Sequence, residues 1–332
     1  TETPTEIPTE IPTPTVPPTV PPTNTPTPTP IPTVPGEDFL VLDGFGGIHP
    51  TGDVKHGVTG NLDYYPGFDI VKDMDALKDG SGIVLVDGYG AFKVFPFAGN
   101  ETPFSESDYN RLPPWTPGED MYVAVESTDD SKGAWVLTDQ GMIYGVGSAL
   151  SAEATQSYLT AVDPLLPAYV PGEGAPSSAV DFAVVNNGAA VLIQPRWGGI
   201  VWIGDASIVG VTEGTPVPYF GWDIARQIEI EPTGKGYMLL DGFGAIHPVG
   251  GNSQGTARDA YNAKFLPSHN FYWGWDIAVS LAYTPDGQGM VVLDGFGGNH
   301  YLGEIVGRSD VYFGWNIARD IEIVTHASDG GE

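Results

Sequence analysis

One segment recurs along this chain and limits what the chain can fold into. Residues 236–250 read GYMLLDGFGAIHPVG, residues 289–303 read GMVVLDGFGGNHYLG, and residues 39–52 read FLVLDGFGGIHPTG. A weaker copy, GIVLVDGYGAFKVFP, spans residues 82–96. Each copy is an apolar run, an Asp-Gly-aromatic-Gly turn and a second short run. Asp and Gly tolerate the positive φ of tight turns, so each copy is predicted to be a β-hairpin.

Aligning the turns at Asp43, Asp87, Asp139, Gln194, Asp241 and Asp294 gives spacings of 44, 52, 55, 47 and 53 residues. A period near 50 residues built from short strands marks a propeller or a related array. A second motif keeps step with the first. It reads FGWDIARQIEI at 220–230, WGWDIAVSLAY at 273–283, FGWNIARDIEI at 313–323 and, more distantly, PGFDIVKDMDAL at 66–77. Residues 121–128 and 180–186 hold the same place in the two most divergent units. Each unit therefore offers three predicted strands: A (WDIARQIEI), B (GYMLLD) and C (AIHPVG). A fourth, outer strand is expected in the variable stretch before the next A. The folded part opens on a B strand at Phe39 and closes on an A strand at 315–323. Pairing these two completes one unit from both chain ends and leaves no open edge between first and last.

This repeat, over the 297 residues 36–332, resembles a six-bladed β-propeller whose terminal strands share one blade. The resemblance implies an all-β ring and no particular chemistry. The S-x-D-x-G-x-T-W box of sialidase-type propellers is absent, as are the G-x-S-x-G elbow, the P-loop and H-E-x-x-H.

Residues 1–35 are a separate segment, with 13 Pro, 12 Thr, no aromatic residue and no Lys or Arg. Pro fixes φ and removes backbone donors, so an extended polyproline II tail of roughly 110 Å is expected. Its composition resembles the O-glycosylated stalks of secreted or surface-displayed bacterial proteins. The glycan candidates are Thr3, Thr5, Thr9, Thr13, Thr15, Thr19, Thr23, Thr25, Thr27, Thr29 and Thr33. Asn100 heads a lone N-glycosylation sequon. The chain opens on Thr1 without a leader, as a processed secreted chain or a fragment would.

With 42 Asp and Glu against 13 Lys and Arg, the net charge is −29. Such a field disfavours nucleic acid and anionic lipid as partners. No apolar run is long enough for a membrane-spanning helix, and no cysteine is present for disulfide or thiolate chemistry.

The candidates for chemistry repeat from unit to unit. Asp43, Asp87, Asp241 and Asp294 are placed to accept N–H groups of their own turns. Calcium is the alternative, but DGFGG lacks the oxygen density of a calcium loop. His49, His247 and His300 invite zinc, yet one per unit at equivalent positions is a radial arrangement. Asp69, Asp223, Asp276 and Asn316 start the A strands, beside Trp222, Trp275 and Trp315, and a repeated Trp is expected to pack between blades. Lys72, Arg226 and Arg319 share one position and are expected to pair with a neighbouring blade's acid. The irregular stretches 96–119 (Tyr109, Arg111, Trp115) and 148–178 (Tyr158, Tyr169), and the Arg196-Trp197 turn, are drifted loops or a ligand groove.

No cofactor is implied, and three functions are consistent with this pattern. The first is a non-enzymatic extracellular structural protein whose tail joins one propeller to the next copy, making a filament. The tail's Ile7, Ile11, Val16 and Val20 would meet Tyr219, Phe220, Tyr272, Trp273, Tyr312 and Phe313 of a neighbour, as Pro-rich ligands meet aromatic grooves. The second is a carbohydrate-binding propeller tethered by a glycosylated stalk. The third, a secreted hydrolase or lyase, is weakened by acids that repeat instead of being unique.

Overall fold

The computed structural model describes residues 37–52, 64–97, 122–149, 179–251, 271–305 and 310–325, with Asn100, Glu101, Leu112, Tyr261 and Phe265 besides. The tail threonines, Ile7, Ile11, Val16 and Val20, and Tyr109, Arg111, Trp115, Tyr158 and Tyr169 lie outside the described residues. Thr1–Ile31 form a unit separate from Pro32–Glu332, and the fold is that of the second unit.

It is an all-β, six-bladed propeller of three-stranded antiparallel sheets. Blade I joins β18 (Ala318–Thr325), β1 (Glu37–Asp43) and β2 (Ile48–Gly52). Blade II is β3 (Val71–Ala76), β4 (Gly82–Asp87) and β5 (Phe92–Pro96). Blade III is β6 (Tyr122–Ser127), β7 (Gly133–Thr138) and β8 (Ile143–Gly147). Blade IV is β9 (Ala179–Val185), β10 (Ala190–Pro195) and β11 (Val201–Gly204). Blade V is β12 (Ala225–Ile230), β13 (Tyr237–Asp241) and β14 (Ile246–Val249). Blade VI is β15 (Ala278–Tyr283), β16 (Gly289–Asp294) and β17 (Asn299–Gly303). The expected union of the chain ends is present: Phe39 pairs with Ile323 and Val41 with Ile321. The last A strand starts at Ala318, not at Trp315.

The middle strands explain the continuous apolar runs. Both faces of a middle strand are covered, so alternate residues enter different cores. Phe39 and Val41 pack with Val291 and Leu293 of blade VI. Leu40 and Leu42 pack with Ile83 and Leu85 of blade II. Comparable clusters fill the other four junctions. The A strands touch in cyclic order, β18 lying against both β15 and β3.

Every A strand carries a bulge near its start, and the skipped residues are Lys72, Val123, Val180, Arg226, Val279 and Arg319. The bulge register corrects two assignments. Asp43 pairs with Ala318, Thr138 with Tyr122 and Pro195 with Ala179. The turn position of blades III and IV is therefore Thr138 and Pro195, each one residue away from the expected Asp139 and Gln194. In blade IV the stretch after β11 holds a 3-10 helix at Ala206–Val209 in place of the expected fourth strand.

Candidate functional site

The B–C turns and the starts of the A strands meet on one face, as expected. The turn acids serve their own turns. Asp43 accepts the N–H groups of Phe45 and Gly47 at 2.8 and 2.9 Å, and Asp87, Asp241 and Asp294 repeat the pattern. The second carboxylate oxygen meets the imidazole of the same blade: His49 on Asp43 at 2.7 Å, His247 on Asp241 at 2.9 Å and His300 on Asp294 at 2.8 Å. Burial acts to raise the Asp43 pKa, but the His49 and backbone contacts outweigh it and hold the carboxyl below its ordinary value. Each histidine is engaged within its own blade, and among the described residues no three metal-ligating side chains converge.

The glycine after three of the turn acids, Asp43, Asp241 and Asp294, forms a seat. A Cβ on Gly44 would overlap the carboxylate of Asp69, one on Gly242 that of Asp276, and one on Gly295 the amide of Asn316. The seated side chain belongs to the next blade. A bulge re-aims its extra residue out of the strand's alternation, which lets Arg226 and Arg319 reach the same seats. Arg226 pairs through two nitrogens with Asp276, its Nε at 3.1 Å. Arg319 holds Asp69 in the same fork, its Nε at 2.9 Å. Blade IV has Val180 at the bulge, and Arg196 of its B–C turn bonds Asp223 at 2.9 Å instead.

The aromatic residues of the A motif divide into two sets. Phe220, Trp273 and Phe313 are half-buried wedges. Trp273 donates its backbone N–H to Phe243 of the preceding blade, and its ring lies 4.5 Å from His300 of its own. Phe220 and Phe313 pack likewise on His247 and His49. The second set faces water: Tyr64, Phe68, Tyr219, Trp222, Tyr272, Trp275, Tyr312 and Trp315 are each between 51 and 74% exposed. The expectation that the repeated Trp packs between blades therefore applies to the residue two positions earlier. Gly221, Gly274 and Gly314 separate the two sets, with φ of 75°, 70° and 77°, a left-handed conformation that turns the following Trp outward.

The exposed aromatics run over four consecutive blades, V, VI, I and II. Between blades they form clefts. Phe243 lies 5.3 Å from Trp222 of its own blade and 5.7 Å from Tyr272 of the next. Phe45 lies 5.6 Å from Trp315 and 6.0 Å from Tyr64. Phe296 holds the same turn position in blade VI, and its carbonyl accepts the N–H of Phe313 as that of Phe243 accepts Trp273. Of the assembly candidates, Tyr219, Tyr272 and Tyr312 stand on this face, while Phe220, Trp273 and Phe313 are wedges beneath it.

A second cluster, not anticipated, lies along the A strands. Each A strand is an edge strand whose free N–H groups need acceptors. The residue after the bulge supplies one to the next blade. Asp73 accepts Val125 N–H at 2.7 Å, Asp181 accepts Ile228 N–H at 2.8 Å, and Asp320 accepts Met74 N–H at 3.3 Å. Gln227 does the same for Leu281 and Ser280 for Ile321. Two residues on stand Asp75, Glu126, Glu229 and Glu322, with Lys78 bridging Asp75 and Glu126. Burial raises the carboxyl pKa of Asp73, Asp181, Glu229, Asp320 and Glu322. It takes that of Glu126 to about 7 despite Lys78.

No family model matches this chain, and no curated protein matches it. Among solved structures it is similar to a chain of a nidogen/laminin complex, at 8% identity and a TM-score of 0.47, over 87% of this chain and 98% of that one. No helix among the described residues is long and apolar enough to cross a membrane.

Proposed function

We propose that this protein is a non-enzymatic extracellular structural protein, the repeating subunit of a surface filament in which a glycosylated Pro/Thr-rich tail links propeller beads. One observation carries the reading. β1 runs from Glu37 to Asp43, and Asp43 belongs to the aromatic face, so the chain enters the ring on the opposite face. The start of β1 on one face and an aromatic surface on the other are two different patches. Contacts between different patches propagate from copy to copy instead of closing on a dimer.

Electron microscopy of the native secreted material tests this directly: filaments are expected, and isolated discs would overturn it. Deleting residues 1–30 should leave a folded disc that no longer polymerises. Intact-mass analysis of the native chain should exceed the bare polypeptide mass through O-linked glycans.

A second reading, a carbohydrate-binding module, is favoured by the carboxylate–guanidinium pairs beside the exposed Trp residues, since sugars are bound by a stacking surface with polar groups at its edge. Saturable binding of a soluble polysaccharide by a chain that stays monomeric would select it.

A further inference from the structure

We infer that the three clefts Trp222–Phe243–Tyr272, Trp275–Phe296–Tyr312 and Trp315–Phe45–Tyr64 are the seats for the apolar-Pro steps of a second copy's Pro/Thr-rich tail. The inference rests on the filament reading and names the surface that receives the tail.

Both partners are periodic. The clefts recur once per blade on one face. In the tail, Ile7-Pro8, Ile11-Pro12, Val16-Pro17 and Val20-Pro21 recur every four or five residues, which is roughly 12–16 Å in polyproline II. Each cleft sets an exposed Trp and an exposed Tyr on either side of a turn Phe, through ring contacts at Phe243 and Phe45 and by repeat position at Phe296. A pyrrolidine ring with a branched aliphatic neighbour covers such an aromatic surface with flat C–H groups. The polyproline II backbone leaves its carbonyls unpaired, and Trp and Tyr bring N–H and O–H donors to the rim. Such a ligand is already extended, so ordering it costs little conformational entropy.

Charge and connectivity point the same way. The tail carries Glu2, Glu6 and Glu10 and no cation, so a bare acidic surface would repel it. Around the clefts, Asp69, Asp223 and Asp276 are each paired with an arginine, and the fourth position is the neutral Asn316. The acids beside the exposed Trp residues are thus each matched by a cation within a strongly acidic chain. The 36 residues before Glu37 span about 110 Å when extended as polyproline II. Glu37, the first residue of β1, lies on the face away from the clefts, which suits delivery to the next copy.

The test uses the full chain in two variants. The first is W222A/W275A/W315A, which alters only exposed side chains. The second is Ile7→Ser, Ile11→Ser, Val16→Ser and Val20→Ser, which leaves the propeller untouched. Assembly is followed by light scattering against concentration and by electron microscopy, and folding by the melting temperature. Both variants are expected to melt like the wild type and to raise the onset concentration of assembly by roughly thirty-fold or more. If the wild type assembles and both variants assemble at the same concentration, the clefts are not the seats and the filament reading stands. If only the Trp variant is impaired, the face binds something other than the tail, a glycan first of all, and the inference fails. If the Trp variant does not fold, the tail variant decides: assembly at the wild-type onset overturns the inference. A wild type that stays monomeric overturns the filament reading and the inference with it.

Discussion

Acidification from pH 8 to pH 5 is expected to stabilise the propeller. The groups concerned face one another from the A strands: Asp73 and Asp75 on β3, Glu126 on β6, Asp181 on β9, Glu229 on β12, and Asp320 and Glu322 on β18. Lys78 sits beside Asp75 and Glu126, and β15 contributes the neutral Ser280. Burial raises the folded-state pKa of Asp73, Asp181, Glu229, Asp320 and Glu322 above their unfolded values. Between those two values the folded chain holds more protons than the unfolded one, so stability falls as pH rises. For Glu126, moving from 4.5 to about 7 corresponds to ~3 kcal/mol of stability, present below pH 4.5 and lost above pH 7. The acids compete for the same protons, so the cluster titrates as a set. A total of a few kcal/mol would shift the melting temperature by roughly 5–10 °C for a ring of this size. Below about pH 4 the trend should reverse, because Asp43, whose folded pKa is lowered, loses its stabilising contribution there. Thermal melts by circular dichroism from pH 3 to 8.5 at constant ionic strength measure the profile. A companion variant, D181N/E229Q/E322Q, keeps a carbonyl acceptor for Ile228 N–H while removing three titrating groups. It should melt higher than wild type at pH 8 and show a shallower slope. A wild-type melting temperature that rises from pH 5 to pH 8, or a variant with the wild-type slope, would refute the reasoning.

Gly242→Ala should destabilise the fold by about 2 kcal/mol in urea titrations, because the new Cβ displaces Asp276 from its seat. A wild-type midpoint would show that the seat can yield. Arg226→Val or Asp276→Asn alone should each cost ~1 kcal/mol, the pair being partly exposed. Together they recreate the Val279–Asn316 combination, and a double-mutant cycle should show the combined cost below the sum. Removing residues 314–332 deletes β18, uncovers the β1 edge and should remove more than the whole stability of the ring. Retention of the wild-type melting curve would contradict the shared blade.

The fold was legible because each middle strand is buried on both faces and each B–C turn needs its glycines. The apolar runs and the DGFG turns follow directly from those two requirements. The register of blades III and IV was not legible from residue identity. Asp139 looks like the turn acid, but Thr138 does that work, its Oγ1 accepting the N–H of Met142 at 3.0 Å. The bulge, which locates the turn, has no residue signature of its own. The aromatic face was half legible. Two aromatics separated by one residue were visible in each A motif, but which one is buried depends on the left-handed glycine between them. The axial acids were hidden because VKDMDAL reads as an ordinary half-exposed strand. The N–H that Asp73 serves lies on Val125, 52 residues away, and no local pattern marks a partner at that distance.

The repeats act as their own alignment once the seats are known. Where the bulge residue is arginine, the next blade presents an aspartate: Arg226 with Asp276, Arg319 with Asp69. Where the bulge residue is Val279, the next blade presents Asn316, so charge is lost from both sides at once. Where the preceding bulge residue is Val180, Arg196 enters from the turn and pairs with Asp223, which Arg226 of its own blade also holds. By sequence position Lys72 and Asp120 complete the series, Asp120 lying outside the described residues. Ion pairing alone does not explain this bookkeeping, because a partly exposed pair contributes little to stability. Neutrality of the surface does: each seat lies beside an exposed aromatic of the arc, and an unpaired carboxylate there would set a charge beside apolar surface. Among the described residues the opposite face carries exposed Asp79, Asp129, Asp130 and Asp286 at the A–B turns together with exposed Lys78, Lys132 and Lys235, and no comparable arc of exposed aromatics. Among the described residues the two sides of the ring therefore differ in apolarity, and a disc of that kind has a direction. Direction is what a head-to-tail assembly requires of its subunit.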